Sequence, residues 1–125
     1  MIDLKNILLV TIGSAVGGSL RFVLSSFIQT KIVSKFPLGT FTINTLGCLL
    51  IGIILGYAGK SSSNTASLSL LLATGFCGGF TTFSAFGFEN VQLLKSGFNV
   101  TALVYIILSV TLGILAVKVG LTIVK

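Results

Sequence analysis

The fold is decided by the stretch Gly75-Phe76-Cys77-Gly78-Gly79-Phe80-Thr81-Thr82-Phe83-Ser84-Ala85-Phe86-Gly87-Phe88, which lies inside a long apolar segment. The adjacent Gly78 and Gly79, followed by Thr81 and Thr82, form a poor helix core. In lipid, an interrupted helix is tolerated only where its freed backbone groups find partners in protein, water or an ion. Two interpretations stay open: a straight helix whose glycines serve close packing, or a helix broken near the midplane that faces an ion.

The composition around this stretch places the chain in lipid rather than in water. Apolar residues make up 54% of the 125 residues and charged residues only 8%, against roughly 25% charged residues in an average globular domain. A chain of this length has too much surface to hide that amount of hydrocarbon from water. The composition therefore predicts a multi-pass protein of the cell membrane, surrounded by lipid.

Four stretches are long enough to span a membrane, which takes about 20 mostly apolar residues. They cover approximately residues 4–28, 36–59, 66–93 and 98–118 and are joined by short connectors, of which residues 61–64 form a polar loop. The N-terminal run has some likeness to a signal peptide, but it continues past Arg21 without a clear cleavage site, so we predict a retained helix. The prediction is a single all-α domain, residues 1–125, of four transmembrane helices with the third one broken.

The charged residues exclude several classes of function. Only Asp3 and Glu89 are acidic, against eight basic residues and a net charge of +6. The basic residues are scattered singly near segment ends, which disfavours nucleic-acid binding. A cation path or a proton relay normally supplies carboxylates within the membrane, whereas an anion path does not. Because the chain contains no His and no nucleophile–base pair can be assembled from its residues, we do not expect an enzyme.

The lysines are almost evenly divided between the two sides of the membrane. Lys5, Lys60, Lys118 and Lys125 fall on one side, and Lys31, Lys35 and Lys95 on the other, with Arg21 towards that second side. The positive-inside bias that normally fixes orientation is therefore nearly absent. Either one side wins by a single lysine, or copies insert both ways round and pair antiparallel; the count leaves both open.

Several side chains inside the spans need partners or packing. Asn44 lies near the middle of the second span, where an unpaired amide costs several kcal/mol, and Arg21 lies within the first, where it either has a function or snorkels to the interface. Tyr105 and Ser109 share one face of the fourth span. Phenylalanine ring edges carry partial positive charge that could meet a small anion.

Small residues within the spans have a simpler interpretation. Glycines recur at four-residue spacing in three of the spans, which allows close helix packing; the pairs are Gly13 and Gly17, Gly52 and Gly56, and Gly75 and Gly79. Cys48 and Cys77 lie inside apolar runs, and we interpret them as small buried apolar residues rather than a disulfide or metal pair.

Three ordered motifs resemble the small Fluc (CrcB-type) fluoride channels of microbial membranes, over essentially the whole chain. They are Gly17-Gly18-Ser19-Leu20-Arg21-Phe22, Gly39-Thr40-Phe41-Thr42-Ile43-Asn44-Thr45-Leu46-Gly47 and the residue 75–86 stretch quoted above. The resemblance implies an antiparallel dual-topology homodimer with two fluoride pores. It also implies passive fluoride export that relieves fluoride toxicity.

The resemblance also implies roles for individual residues. The pores are expected to be lined by Phe83, Phe86, Asn44, Ser84, Tyr105 and Ser109. The backbone carbonyls of Gly78 and Thr81 from both subunits are expected to hold a structural Na⁺, the cofactor that the family implies. Arg21 matches the helix-end arginine of the family, and Glu89 the acidic residue that closes the third helix. Ala85 departs from the family, where a Thr is usual, and this removes one hydroxyl of the polar track.

The main alternative is a dual-topology exporter of the small-multidrug-resistance type. That class couples transport to protons through an acidic residue in its first helix, whereas the first span here holds only Arg21 as a charged residue in its interior. A second alternative is a membrane assembly or scaffold protein without transport activity, for which the broken-helix stretch would have no use.

Overall fold

The computed structural model describes residues 2–61 and 65–125, and these form helices joined by short connectors. The helices are α1 (Leu4–Lys31), α2 (Leu38–Lys60), α3 (Ala66–Ser69), α4 (Gly78–Phe80), α5 (Phe83–Lys95) and α6 (Asn99–Ile123), with a π-helical segment (Leu70–Cys77) between α3 and α4. Four helical runs, Leu4–Lys31, Leu38–Lys60, Ala66–Lys95 and Asn99–Ile123, are long and apolar enough to cross a membrane. The all-α, four-span prediction is confirmed, while Ser62–Asn64 of the predicted polar loop lie outside the described residues.

The helices extend beyond the apolar windows read from the sequence. α1 continues to Lys31 and α6 to Ile123, each past the predicted end of its span. Lysine in the last turn of a helix complements the helix dipole, and Lys31, Lys60 and Lys95 occupy that turn in α1, α2 and α5. At the start of α1, the side chain of Asp3 accepts from the N–H of Asn6 and caps the helix.

The third span is broken, as one of the two sequence interpretations predicts. The π-helical segment Leu70–Cys77 runs into α4, which ends at Phe80, and α5 begins only at Phe83. Thr81 and Thr82 between them have extended backbone angles. π-helical turns are rare and often accompany functional sites, and here the π-helical segment leads directly into the break.

Glycines bring α1 against the third span, as their spacing predicts. A side chain at Gly13 would collide with the backbone of Leu71, and one at Gly17 with the carbonyl of Phe76. From the other side, a Cβ at Gly79 would lie 2.5 Å from the carbonyl oxygen of Ser14. The two helices therefore touch through their backbones, the close packing that small residues permit in membranes.

A second glycine contact joins α2 to α6. Cβ atoms placed on Gly52 and Gly120 would collide with the carbonyls of Val117 and Leu49 respectively, and the two glycines face each other. The bundle is thus built from two tightly packed pairs, α1 with the third span and α2 with α6. Asn44, on α2, lies where the α2 helix also meets the broken third span.

The turn from α5 to α6 is set by one left-handed residue. Gly97 has a φ of 81°, and the N–H groups of Gly97 and Phe98 donate to the carbonyls of Leu94 and Leu93 at 3.2 and 2.9 Å. This hydrogen-bond pattern is the Schellman motif, in which glycine ends a helix without steric cost. The turn sends α6 back across the bundle.

Candidate functional site at the broken third helix

Asn44 binds both backbone polar groups of Thr82, one of the two extended residues of the break. Its Nδ2 donates to the carbonyl of Thr82 at 3.0 Å, and its Oδ1 accepts from the N–H of Thr82 at 2.8 Å. The amide therefore gives the N–H of Thr82 an acceptor in place of the one that the break removes, and its NH₂ group binds the carbonyl of the same residue. The sequence prediction that Asn44 needs a partner inside the membrane is confirmed, and the partner is the break itself.

The hydrogen bond to Asn44 also frees a carbonyl. In an unbroken helix the N–H of Thr82 would donate to the carbonyl of Gly78, four residues earlier; here it donates to Asn44. The side chain of Thr82 caps the new helix start, since its Oγ1 accepts from the N–H of Ala85 at 3.2 Å. The carbonyl oxygen at Gly78 is thus released from the helix ladder beside the break.

Arg21 reaches the same break from α1. Its Nη1 donates a long hydrogen bond, 3.4 Å, to the carbonyl oxygen of Thr81. The guanidinium group lines a cavity of about 250 Å³ that also includes Gln29, Thr40, Thr82 and Glu89. Arg21 is therefore directed into the protein and bonded there.

The phenylalanines of the third span fall into separate environments because the break lies between them. Phe80, before the break, is buried and stacks on Phe76 at a centroid distance of 5.6 Å. Phe83, after it, is 84% exposed. Phe86 stacks on Tyr105 at 5.0 Å and lies 5.6 Å from Phe83. The three-residue spacing of 80, 83 and 86 therefore does not describe one continuous helical face.

Glu89 is held by two hydroxyl groups. Thr40 donates to Glu89 Oε1 at 2.6 Å, and Tyr105 donates to Glu89 Oε2 at 2.8 Å. Tyr105 is completely buried, and its single proton is committed to the carboxylate. Tyr105, predicted to offer a hydroxyl to a pore, uses it here to fix Glu89.

One cavity, of about 450 Å³, collects several of the residues predicted to line a pore. Its walls hold no charged residue among those the structure describes there, and they include Asn44, Gly78, Thr81, Phe83, Phe86 and Ser109. The hydroxyl of Ser109 is buried and has no hydrogen-bond partner among the described residues. Amide, hydroxyl and ring edges therefore face one space with no carboxylate among its described walls.

Ser84 stands apart from the other predicted pore residues. It is exposed on α5, and its Oγ lies 3.2 Å from Thr82 Oγ1, outside the residues that line the uncharged cavity. Cys48 and Cys77 are free thiols on the wall of that cavity. Cys77 is buried as predicted, whereas Cys48 is only half-buried.

The sequence interpretation missed two residues of the site, Thr40 and Thr82. Thr40 lies one helical turn before Asn44 on α2 and binds Glu89, a pairing that the i, i+4 spacing could have indicated. In the sequence Thr82 stands out only as a poor helix former, although its capping side chain starts α5. It also lines both the uncharged cavity and the cavity of Arg21.

The fold and site define a class of protein: a four-span membrane protein whose broken third helix is held by side chains from its neighbours. A protein-family model described as CrcB-like protein, Camphor Resistance (CrcB), matches residues 8–121. The chain belongs to this CrcB family, as the sequence motifs indicated.

Relatives with assigned names agree with this membership. The chain is 43% identical over 122 residues to a protein of Flavobacterium psychrophilum, covering 98% of both chains. It is 44% identical over 117 residues to one of Azobacteroides pseudotrichonymphae, covering 94% of both chains. It is 44% identical over 118 residues to one of Phocaeicola vulgatus, covering 94% of this chain and 97% of the relative. Each relative bears the name fluoride-specific ion channel FluC.

Proposed function

We propose that this protein is a fluoride-selective channel that lets fluoride leave the cell passively and so relieves fluoride toxicity. The observation that carries the proposal is the cavity at the break, which brings Asn44, Phe83, Phe86 and Ser109 together with no charged side chain among its described walls. The name of the relatives, which align along nearly their whole length, supports the same function. In this function the protein binds and releases the ion and catalyses no chemical reaction.

The donors at the cavity suit a small anion. Fluoride is strongly hydrated, so a selective pore has to replace its water with hydrogen-bond donors and weakly positive groups. Asn44 uses one N–H on Thr82 and has a second one to offer, while the Ser109 hydroxyl has no partner among the described residues. The ring edges of Phe83 and Phe86 add partial positive charge. Such groups hold an anion weakly enough for it to leave.

We also propose that the working unit is an antiparallel dual-topology homodimer with two pores. Phe83 is largely exposed, and a second copy would cover it and close the cavity. The near balance of lysines between the two sides fits insertion in both orientations. Labelling of single cysteines added at either terminus, in a variant without Cys48 and Cys77, should proceed from both membrane sides. One-sided labelling would count against dual insertion.

A structural Na⁺ fits the backbone oxygens available at the break. Na⁺ is a hard cation that suits oxygen ligands, and the carbonyl of Gly78 is released by the hydrogen bond of Thr82 to Asn44. We propose that the carbonyls of Gly78 and Thr81 from two subunits would hold the ion and join the two breaks. Replacement of Na⁺ by N-methylglucamine should lower the thermal stability of the dimer; equal stability in both salts would refute the site.

The channel proposal is tested by anion efflux from liposomes that contain only this protein. Fluoride and chloride release should be followed with ion-selective electrodes, with valinomycin and K⁺ to balance charge. We expect fast fluoride release and negligible chloride release. Equal release of the two anions, or none, would refute a fluoride channel. Proton-driven uptake of a quaternary ammonium compound would instead favour the multidrug exporter.

A further inference from the structure

The peptide group that joins Thr81 to Thr82 is held at both ends by side chains of other helices. Its carbonyl oxygen, that of Thr81, accepts from Arg21 of α1 at 3.4 Å. Its N–H, that of Thr82, donates to Asn44 of α2 at 2.8 Å. This single peptide group is thus bound by side chains of two other spans, from residues 60 and 38 positions away in sequence. The helix α5, which carries Phe83 and Phe86, begins at the residue after this peptide group.

Arg21 lies inside the first span, and its described hydrogen bond is to the break. Glu89 shares the cavity of Arg21, and its two carboxylate oxygens accept from Thr40 and Tyr105. A charged side chain within the membrane is costly and persists where it has a specific partner. The described partner of Arg21 is the carbonyl of Thr81, a group that exists free of the helix ladder only because the helix is broken.

We propose that Arg21 is a positioning residue for ion conduction: its guanidinium fixes the Thr81–Thr82 peptide group and so orients the helix that carries Phe83 and Phe86. The inference deepens the proposed channel function and rests on it for its effect on flux. The contact itself is independent of that function. Glutamine at position 21 removes the charge and is too short to keep the same reach, so the peptide group would lose one of its two holders.

The sequence permits a direct test because Thr81 and Thr82 are the only adjacent threonines in the chain. Cell-free synthesis allows threonine alone to carry ¹³C and ¹⁵N. In such a sample only one labelled carbonyl carbon, that of Thr81, is bonded to the labelled nitrogen of a following residue. A carbonyl–nitrogen correlation NMR spectrum of the protein in lipid then contains a single peak, from the Thr81 carbonyl and the Thr82 nitrogen. With Na⁺ kept at one concentration, because the Thr81 carbonyl is also a proposed ligand of that ion, the two frequencies report separately on the Arg21 and Asn44 bonds.

In R21Q we expect the carbonyl frequency to move upfield while the nitrogen frequency changes less, and in N44A the reverse. Fluoride efflux from R21Q liposomes should fall about tenfold or more, the scale of losing one hydrogen bond to a charged group. R21K keeps the charge and has a single donor nitrogen in place of the guanidinium group. Its carbonyl frequency and its fluoride flux should lie between those of R21Q and the wild type. K31Q is the matched control, since it removes one charge from α1 where the ammonium lies over Phe27; neither peak nor flux should change.

Two results would overturn the inference. One is a carbonyl frequency in R21Q equal to that of the wild type, which would mean that the bond is not made in lipid. The other is a shifted peak with unchanged flux, which would mean that the contact does not position anything needed for conduction. Gel filtration of each variant separates these results from misfolding. A wild type without fluoride flux would refute the proposed function, and the peak position, measured without fluoride, would still decide the contact.

Discussion

Tyr105 of α6 donates a 2.8 Å hydrogen bond to Glu89 of α5, and through this bond the last helix is joined to the broken one. Thr40 of α2 completes the arrangement from the other side at 2.6 Å. A carboxylate in lipid is costly unless it is hydrogen-bonded, and the two hydroxyls provide those bonds. Three helices therefore meet at one acidic side chain.

Removal of the Tyr105 hydroxyl should weaken this junction. We expect Y105F to lower the free energy of unfolding by about 1–3 kcal/mol, because it leaves an oxygen of the half-buried Glu89 carboxylate without its donor. The measurement is thermal or denaturant unfolding in detergent. Tyr57, the only other tyrosine, is exposed, so Y57F is the control and should change stability little. Equal stabilities of Y105F and Y57F would show that the bond contributes nothing.

Replacement of Asn44 should disturb the break. N44D keeps the shape of the side chain but presents a second oxygen to the Thr82 carbonyl, so one bond becomes a repulsion. We expect a loss of about 1–3 kcal/mol in stability and a clear fall in fluoride efflux. Thr45, the next residue on α2, bonds to its own helix at Phe41. T45V is therefore the control, expected to stay within about 0.5 kcal/mol of the wild type; wild-type flux in N44D would contradict the role of the amide.

Substitution of the two phenylalanines of the cavity should show which effects are on fluoride flux and which are on stability. Phe83 is exposed on the single chain and its one described ring contact is with Phe86, at 5.6 Å, so F83I should lower fluoride flux at a smaller cost in stability than F86I. Phe86 stacks on Tyr105, so F86I should lower flux and also cost about 0.5–1.5 kcal/mol of aromatic contact. F27I, on the exposed part of α1, should change neither. Flux in F83I equal to that in F27I would remove Phe83 from the pore.

The effect of a glycine-to-alanine substitution on stability should depend on whether that glycine contacts another helix. In G52A the new methyl meets the backbone of α6 at Val117, and we expect a loss of about 1–3 kcal/mol from overpacking. A methyl group added at Gly59, on the same helix, would meet no neighbouring atom of the described residues within 4 Å. G59A should therefore be neutral or more stable by about 0.5–1 kcal/mol, since alanine is the better helix residue. Thermal unfolding of both variants makes the comparison, and an equally stable G52A would refute the α2–α6 contact.

The number and order of the spans could be predicted from the sequence because they depend on local composition. The break in the third span is one of two interpretations that the sequence leaves open, since Gly78 and Gly79 also suit a straight, closely packed helix. What decides between them is Asn44, which is distant in sequence and binds both backbone polar groups of the extended Thr82.

The site was predicted less completely than the fold, and for a physical reason. Motifs indicated which residues gather at the break. They do not indicate which partner receives the single proton that each hydroxyl can donate. Tyr105 uses that proton on Glu89, whereas the Ser109 hydroxyl has no partner in the part of the chain that the structure describes, and no spacing in the sequence separates the two cases. For Arg21 the sequence leaves two roles open, a function within the protein or snorkelling to the interface. Its hydrogen bond to the Thr81 carbonyl places it in the protein.

The interruption of the third span also has an electrostatic consequence. A helix carries partial negative charge at its C-terminal end and partial positive charge at its N-terminal end. At the break, the run that ends at Phe80 and the helix that starts at Phe83 place these opposite poles within a few residues of each other, near the middle of the Ala66–Lys95 run. The same short segment therefore offers attraction to a cation on its carbonyl side and to an anion on its amide side, with no charged side chain of its own.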